Sequence, residues 1–539
     1  MEPKSAHGAD TCGVDHSPGI ACRLPLITVA RPLRPDSRRL AGVAVVVGLA
    51  GWLCYLLLRS AFDTSHSLRP QLESGALLFA IAGLCFRAAT APRVSPEVLP
   101  PDSQWPALLP IMCGLAILLY WPALWLGYLS DDFILVQHAT AWRLGAVAPQ
   151  LFRPLPLAVW SVLLHVGAGA VGIHALSVVL HGTNAYLTAR IVRAWVPGHW
   201  WPILAGLVVL TAPLAPEAVA WGAGVFDVAS TTCLLSAVLV ARRYDGRPPL
   251  KTRILLVALV LSALLCKETA AIGPILVGID AWVRQSISKR LIQDLLLTAT
   301  IIGMVMGVRV YWQGSPVLPP VTRYRLQRVL FDSFGALAAP WHSGLFGWSP
   351  AVTLFSGLSV TVLLTSCFLL SRSARQTRVI VAGACWILVS LIPVVPLFYV
   401  SPALEGSRYL YLASVGWAAI LVAAADEVHS SLYFGRLVVP LVVFTLVAAY
   451  GTRVHLHPWS SAGALRDRVL AAASADKALY ACEVVFIQGL PSSVQGAYVF
   501  SNGAREAFGT VGLNVRVGDS AGPCAFRWDG PSSQFEPVR

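Results

Sequence analysis

Two adjacent carboxylates, Asp131 and Asp132, stand in the stretch GYLSDDFILV directly after one of the most apolar segments of the chain. Further along come Arg153 in FRPLPLAVWSVLLH, Glu217 and Asp227 at the ends of PEAVAWGAGVFD, Lys267 and Glu268 inside LLCKETA, and Glu405 and Arg408 in LEGSRYLYLAS. A carboxylate placed beside a hydroxyl can take its proton. Guanidinium and ammonium groups hold phosphate, arginine in bidentate fashion. Taken singly, each of these charges reads as a solvated flank of an apolar helix; what raises their weight is that several recur at the same kind of boundary.

The elements that must position them are membrane helices. Of 539 residues only 12% are charged and 56% are hydrophobic, with a mean hydropathy of +0.67, whereas a soluble chain carries about a quarter charged residues. Runs near the roughly 20 residues that cross a bilayer fall at 41–58, 73–90, 107–126, 172–193, 201–215, 227–243, 253–266, 269–284, 291–311, 350–370, 379–398, 409–425 and 436–452. The fold class this implies is an all-α polytopic membrane protein of about thirteen spans, with a small exported C-terminal α/β or β-rich domain. Alternate connections carry the basic sets ARIVRAW, ARRYDGRPPLKTR, VRQSISKRLIQD and LSRSARQTR, which the positive-inside rule makes cytoplasmic. The opposite loops, holding the Asp pair, Glu217, Asp227, Lys267, Glu268, Glu405 and Arg408, then face outward, with the N-terminus inside. The net charge of +13 follows from the same rule, and no nucleic-acid motif accompanies it.

Residues 1–40 read as a disordered cytoplasmic tail, 41–105 as two extra N-terminal spans and 106–452 as the catalytic membrane domain. Residues 453–539 read as an extracytoplasmic domain, with strand-like EVVFIQGL, GAYVF and VGLNVRV between turn residues. Cys482 and Cys524 lie there, as a disulfide or as two free thiols. Two apolar segments, 152–169 and part of 312–349, are placed on the outer interface, since counting the first as a span would invert every later loop.

The ordered blocks FRPLPLAVWSVLLH, GIHALSVVLHGTNAYL, APEAVAWGAGVFDVAST, LLCKETA and EGSRYLYLAS, following an apolar helix that ends in D-D, resemble the membrane-embedded glycosyltransferases of the GT-C fold. They are similar in particular to the protein O-mannosyltransferase-like branch, which includes the transmembrane and tetratricopeptide-repeat mannosyltransferases. The resemblance runs over roughly 106–425 and implies a polyprenyl- or dolichyl-phosphate sugar donor, an inverting transfer outside the membrane, and a protein or glycan hydroxyl as acceptor. It matches Asp131 to the catalytic base and Asp132 to its acidic neighbour. Arg153, Glu217, Trp221, Asp227, Lys267, Glu268, Arg408, Tyr409 and Tyr411 match the later blocks as donor- or phosphate-binding positions. This chain departs from the pattern in having Ser407 before Arg408, Glu405 three residues back and no repeat array.

In this reading Asp131 takes the acceptor proton while Arg153, Lys267 and Arg408 stabilise the departing lipid phosphate. The adjacent carboxylates also suit Mg²⁺ or Mn²⁺, with Asp131 and Asp132 as ligands. His174 and His181, seven apart on one helix face, are a substrate contact and a packing residue respectively. The rival classes are a transporter or flippase of lipid-linked saccharides and an inactive membrane scaffold. The small tail and lack of repeats lean towards a bacterial inner membrane with the C-terminal domain in the periplasm.

Overall fold

A computed structural model describes residues 105–144, 152–196, 200–244, 248–313, 322–346, 374–431, 438–518 and 522–538. The expected tail at 1–40 and the spans at 41–58, 73–90 and 350–370 lie outside the described residues. The helices run α1 Leu108–Tyr120, α2 Asp132–Thr140, α3 Pro154–His165, α4 Gly169–Trp195, α5 Trp200–Leu210, α6 Pro216–Ala220, α7 Val225–Ala241, α8 Leu250–Cys266 and α9 Gly273–Val283. They continue with α10 Lys289–Gln313, α11 Arg323–Ala338, α12 Ser343–Phe346, α13 Ala374–Leu391, α14 Ala413–Ser431, α15 Val438–His455, α16 His457–Ala475, α17 Lys477–Tyr480 and α18 Ala504–Gly509.

This is a membrane protein. Among the described residues four helical stretches are long and apolar enough to cross a bilayer: Leu108–Trp125, Gly222–Ala241, Lys289–Tyr311 and Ala374–Val394. The apolar stretch expected at 201–215 forms the shorter α5 instead, ending at Leu210 before Pro213 and Pro216. Proline lacks the N–H a helix interior needs. The segment at 152–169 contains the 12-residue α3, about 18 Å long, far short of a bilayer. Trp121 and Trp125 are exposed beyond the end of α1, a placement that suits the bilayer–water boundary.

Small residues let two of the helices touch. Gly383 on α13 and Gly416 on α14 face one another so closely that a Cβ on either would meet the other's carbonyl oxygen, at 2.7 and 2.6 Å. Such contacts bring helices together where no hydrophobic drive separates protein from lipid. One apolar cluster joins α4, α5, α7 to α9, α13 and α14. A second joins α1, the Asp131–Asp132 turn and α6 to the C-terminal residues, including Phe508, Val515 and Trp528.

Those C-terminal residues fold around β1 Val485–Gln488, β2 Ser493–Val494, β3 Ala497–Tyr498, β4 Val515–Val517, β5 Ala525–Asp529 and β6 Gln534–Pro537. Four strands form a sheet in the order β4-β1-β5-β6, with β1 parallel to β4 and β5 and the β5–β6 pair antiparallel. The remaining two make a separate hairpin. Cys482 and Cys524 are joined in a disulfide. It fastens the entry to β1 against the entry to β5.

Candidate active site

The residues singled out from the sequence gather around one short segment, Glu217 to Asp227, where α6 ends and α7 begins. Gly222–Gly224 forms a single 3₁₀ turn between them, and the Ala223 N–H in it points at Asp132. The Asp132 carboxylate accepts from Ala223 N at 2.7 Å and from Leu129 N at 3.0 Å. Gly222 is required here, because a Cβ on it would stand 2.8 Å from that carboxyl. Asp132 is fully buried, and burial pushes its pKa up to about 7 although the two backbone bonds pull the other way. Asp131 differs. It is half-buried, and its side chain makes no capping bond at the start of α2. Asp132 thus anchors the turn, while the Asp131 carboxylate beside it takes no side-chain hydrogen bond among the described residues. Among the described residues no three His, Cys, Asp or Glu side chains group as a metal site.

The cations are held by acids. Arg153, just before α3, donates through Nη2 and Nε to Glu268 at 2.8 and 3.2 Å and lies 5.2 Å from the Phe226 ring centre. Arg309 reaches the same carboxylate at 3.7 Å. Burial would raise the Glu268 pKa, but the Arg153 charge and hydrogen bonds prevail and hold it down at about 2. Two guanidiniums thus converge on one carboxylate. Lys267 pairs with Asp227 instead of its neighbour Glu268, and its ammonium is 5.4 Å from the Tyr409 ring centre. The backbone explains why: α8 stops at Cys266, Lys267 is extended, and Glu268 opens a 3₁₀ turn. Adjacent residues in an extended stretch point opposite ways.

Arg408 sits in an aromatic cage. Its guanidinium carbon is 4.4, 5.2 and 5.8 Å from the ring centres of Trp221, Tyr409 and Tyr498. Glu217 lies 3.6 Å from Nη1, beyond hydrogen-bond reach, and Nη1 is buried with no hydrogen-bond partner among the described residues. The same Glu217 accepts from Arg408 N at 3.1 Å, Ser407 Oγ at 3.2 Å and Tyr498 Oη at 3.0 Å. Burial opposes the charge on Arg408, yet Glu217 and the surrounding phenols outweigh it and raise its pKa. Thus Ser407, the departure from the related pattern, is itself bonded to the acid beside the arginine. A small cavity lined by Asp227, Ser230, Thr269, Ser390, Arg408 and Tyr409 opens next to this cage.

Of the candidate residues, Asp227, Arg408 and Tyr409 line this cavity and the others lie outside its lining. The Tyr411 hydroxyl lies between His181 Nδ1 at 2.7 Å and Asn184 Nδ2 at 3.1 Å, inside the helix bundle. His181 Nε2 meets Leu210 O at 3.0 Å. His174 Nε2 bonds Gly127 O at 2.9 Å, so it braces the loop before the Asp pair. Two residues were missed from the sequence. Arg309 lay in the run read as the span 291–311, where a single arginine in its last turn was the available signal. Tyr498 lay in GAYVF, read only as a strand, and nothing local marks it.

With this geometry in hand, the comparisons are specific. The chain is 36% identical over 127 residues to Protein O-mannosyl-transferase Tmtc1 of Drosophila melanogaster and 31% identical over 184 residues to Protein O-mannosyl-transferase Tmtc2 of the same organism. It is similar in part to these O-mannosyl-transferases. The matched stretches are 23% and 29% of this chain and only 15% and 20% of the relatives' length. No family model matches. Among solved structures, the apo oligosaccharyltransferase of Archaeoglobus fulgidus aligns with a TM-score of 0.40 at 12% identity, over 77% of this chain and 69% of that one. Arabinosyltransferase EmbB from Mycobacterium smegmatis aligns with a TM-score of 0.31 at 16% identity, over 72% and 45%. Structural likenesses this distant carry no weight for function.

Proposed function

We propose that this chain is a membrane glycosyltransferase of GT-C type that moves a sugar from a polyprenyl-phosphate donor to an extracytoplasmic hydroxyl by inverting displacement. The observation that carries the reading is the Asp131 carboxylate beside a turn around which paired cations gather. Asp131 accepts the proton of the attacking hydroxyl. The oxygen attacks the anomeric carbon from the face opposite the phosphate, and the bond to the phosphate oxygen breaks. Charge grows on the leaving phosphate as it becomes a monoester. Arg408 Nη1, without a hydrogen-bond partner among the described residues, and the Arg153 guanidinium held on Glu268 are suited to receive it, because preorganised donors act most strongly where charge develops.

In this reading the chain crosses the membrane about thirteen times, with the Asp pair and the C-terminal domain on the outer side and the donor's isoprenoid tail in the bilayer. The test is an assay of the detergent-solubilised chain with radiolabelled dolichyl- and undecaprenyl-phosphate sugars, mannose first. Release of the polyprenyl phosphate without a sealed membrane supports a transferase. Sugar-lipid that binds but is never cleaved under any acceptor condition contradicts it and leaves a transporter.

A further inference from the structure

The β2–β3 hairpin is the only described part of the C-terminal domain that enters the cage. It is pinned from three directions. Val499 O accepts from Ser130 N at 2.9 Å and Asn502 N donates to Ser130 Oγ at 3.1 Å, next to Asp131. His342 Nε2 bonds Gln495 O at 2.9 Å. Gly496, at φ +84°, packs on Ala403, where a Cβ would meet the carbonyl oxygen at 2.6 Å. The result is that Tyr498 projects between Trp221 and Trp459, with ring centres 4.8 and 6.0 Å away, and donates to Glu217 at 3.0 Å.

We infer that the C-terminal domain buttresses the phosphate-binding Arg408 from outside the cavity, and that Tyr498 is the positioning residue through which it acts: its hydroxyl fixes Glu217 and its ring supports Arg408. The inference rests on the proposed transferase reading. Removing the hydroxyl takes one of three donors from a buried carboxylate. Glu217 Oε1 is then free to close the 3.6 Å gap to Arg408 Nη1, so the guanidinium turns from the pocket to its own acid and receives phosphate less well.

The experiment is binding of farnesyl monophosphate, a soluble isoprenyl phosphate, to the full chain in nanodiscs by calorimetry. Tyr498→Phe is expected to weaken binding about tenfold, the scale of one charge-assisted hydrogen bond. The stoichiometry should not change, since loss of folded protein lowers the number of sites and leaves Kd alone. Tyr480→Phe, which removes a hydroxyl of the same domain bonded to Val511 O, should bind as wild type does. In a Glu217→Gln background Tyr498→Phe should add little. Wild-type affinity in Tyr498→Phe overturns the inference and leaves the transferase reading standing. A wild-type chain that binds no farnesyl phosphate overturns the phosphate pocket itself.

Discussion

Asp131 and Asp132 share one peptide bond and little else. Asp132 points inward to two backbone N–H groups, and a buried carboxyl with a pKa near 7 binds its proton more tightly folded than unfolded. The sign follows from linkage: stability is present at low pH and is lost as pH rises from the unfolded value of about 4 through the folded value. Unfolding midpoints of the wild type should therefore fall between about pH 4 and pH 7. Asp132→Asn should flatten that slope, at a cost of about 1–3 kcal/mol at low pH because an amide oxygen serves only one of the two donors. An unchanged slope in thermal scans would count against the assignment. The pair was legible in the sequence as chemistry. Its division of labour was not, because the donor that fixes Asp132 is the backbone of Ala223, 91 positions away.

The run LLVALVLSALLCKETAAIGPILVGI carries its charges at a break between α8 and α9. That the break exists was readable, since two charges are costly in lipid. Which partner each charge takes was not, because it depends on α7 arriving with Asp227 and on α3 and α10 arriving with Arg153 and Arg309. The Lys267 and Asp227 side chains are only 6% and 13% exposed, so removing one partner leaves a buried charge uncompensated. Asp227→Asn should destabilise the protein by about 3–5 kcal/mol. The double substitution Lys267→Met, Asp227→Leu should recover much of that, read as the melting midpoint in detergent. If the double variant is as unstable as the single one, the pair is more than a structural tie.

The helical membrane part and the sheet-bearing C-terminal domain share one apolar cluster. That strands would follow the last apolar run was legible from composition, because glycine and serine rise there and short apolar stretches lie between turn residues. Docking itself was expected, since so small a tail buries little core alone; its partners were not, because they pair backbone groups such as Ser130 N and Val499 O and side chains as distant in sequence as Tyr498 and Glu217. The disulfide closes a separation of 42 residues. Cys482→Ser with Cys524→Ser should cost about 2–4 kcal/mol by the loop-closure relation, seen as earlier proteolysis of the domain in the intact chain. An unaltered proteolysis profile would mean that docking alone holds it.

The central claim is that Asp131 accepts the acceptor's proton in a sugar transfer from a lipid phosphate. The direct measurement is turnover of a radiolabelled polyprenyl-phosphate sugar by the purified full chain, wild type against Asp131→Asn. The account predicts transfer by the wild type and a fall of about 10²-fold or more in the variant, with melting behaviour unchanged. Equal turnover by the two proteins would contradict it.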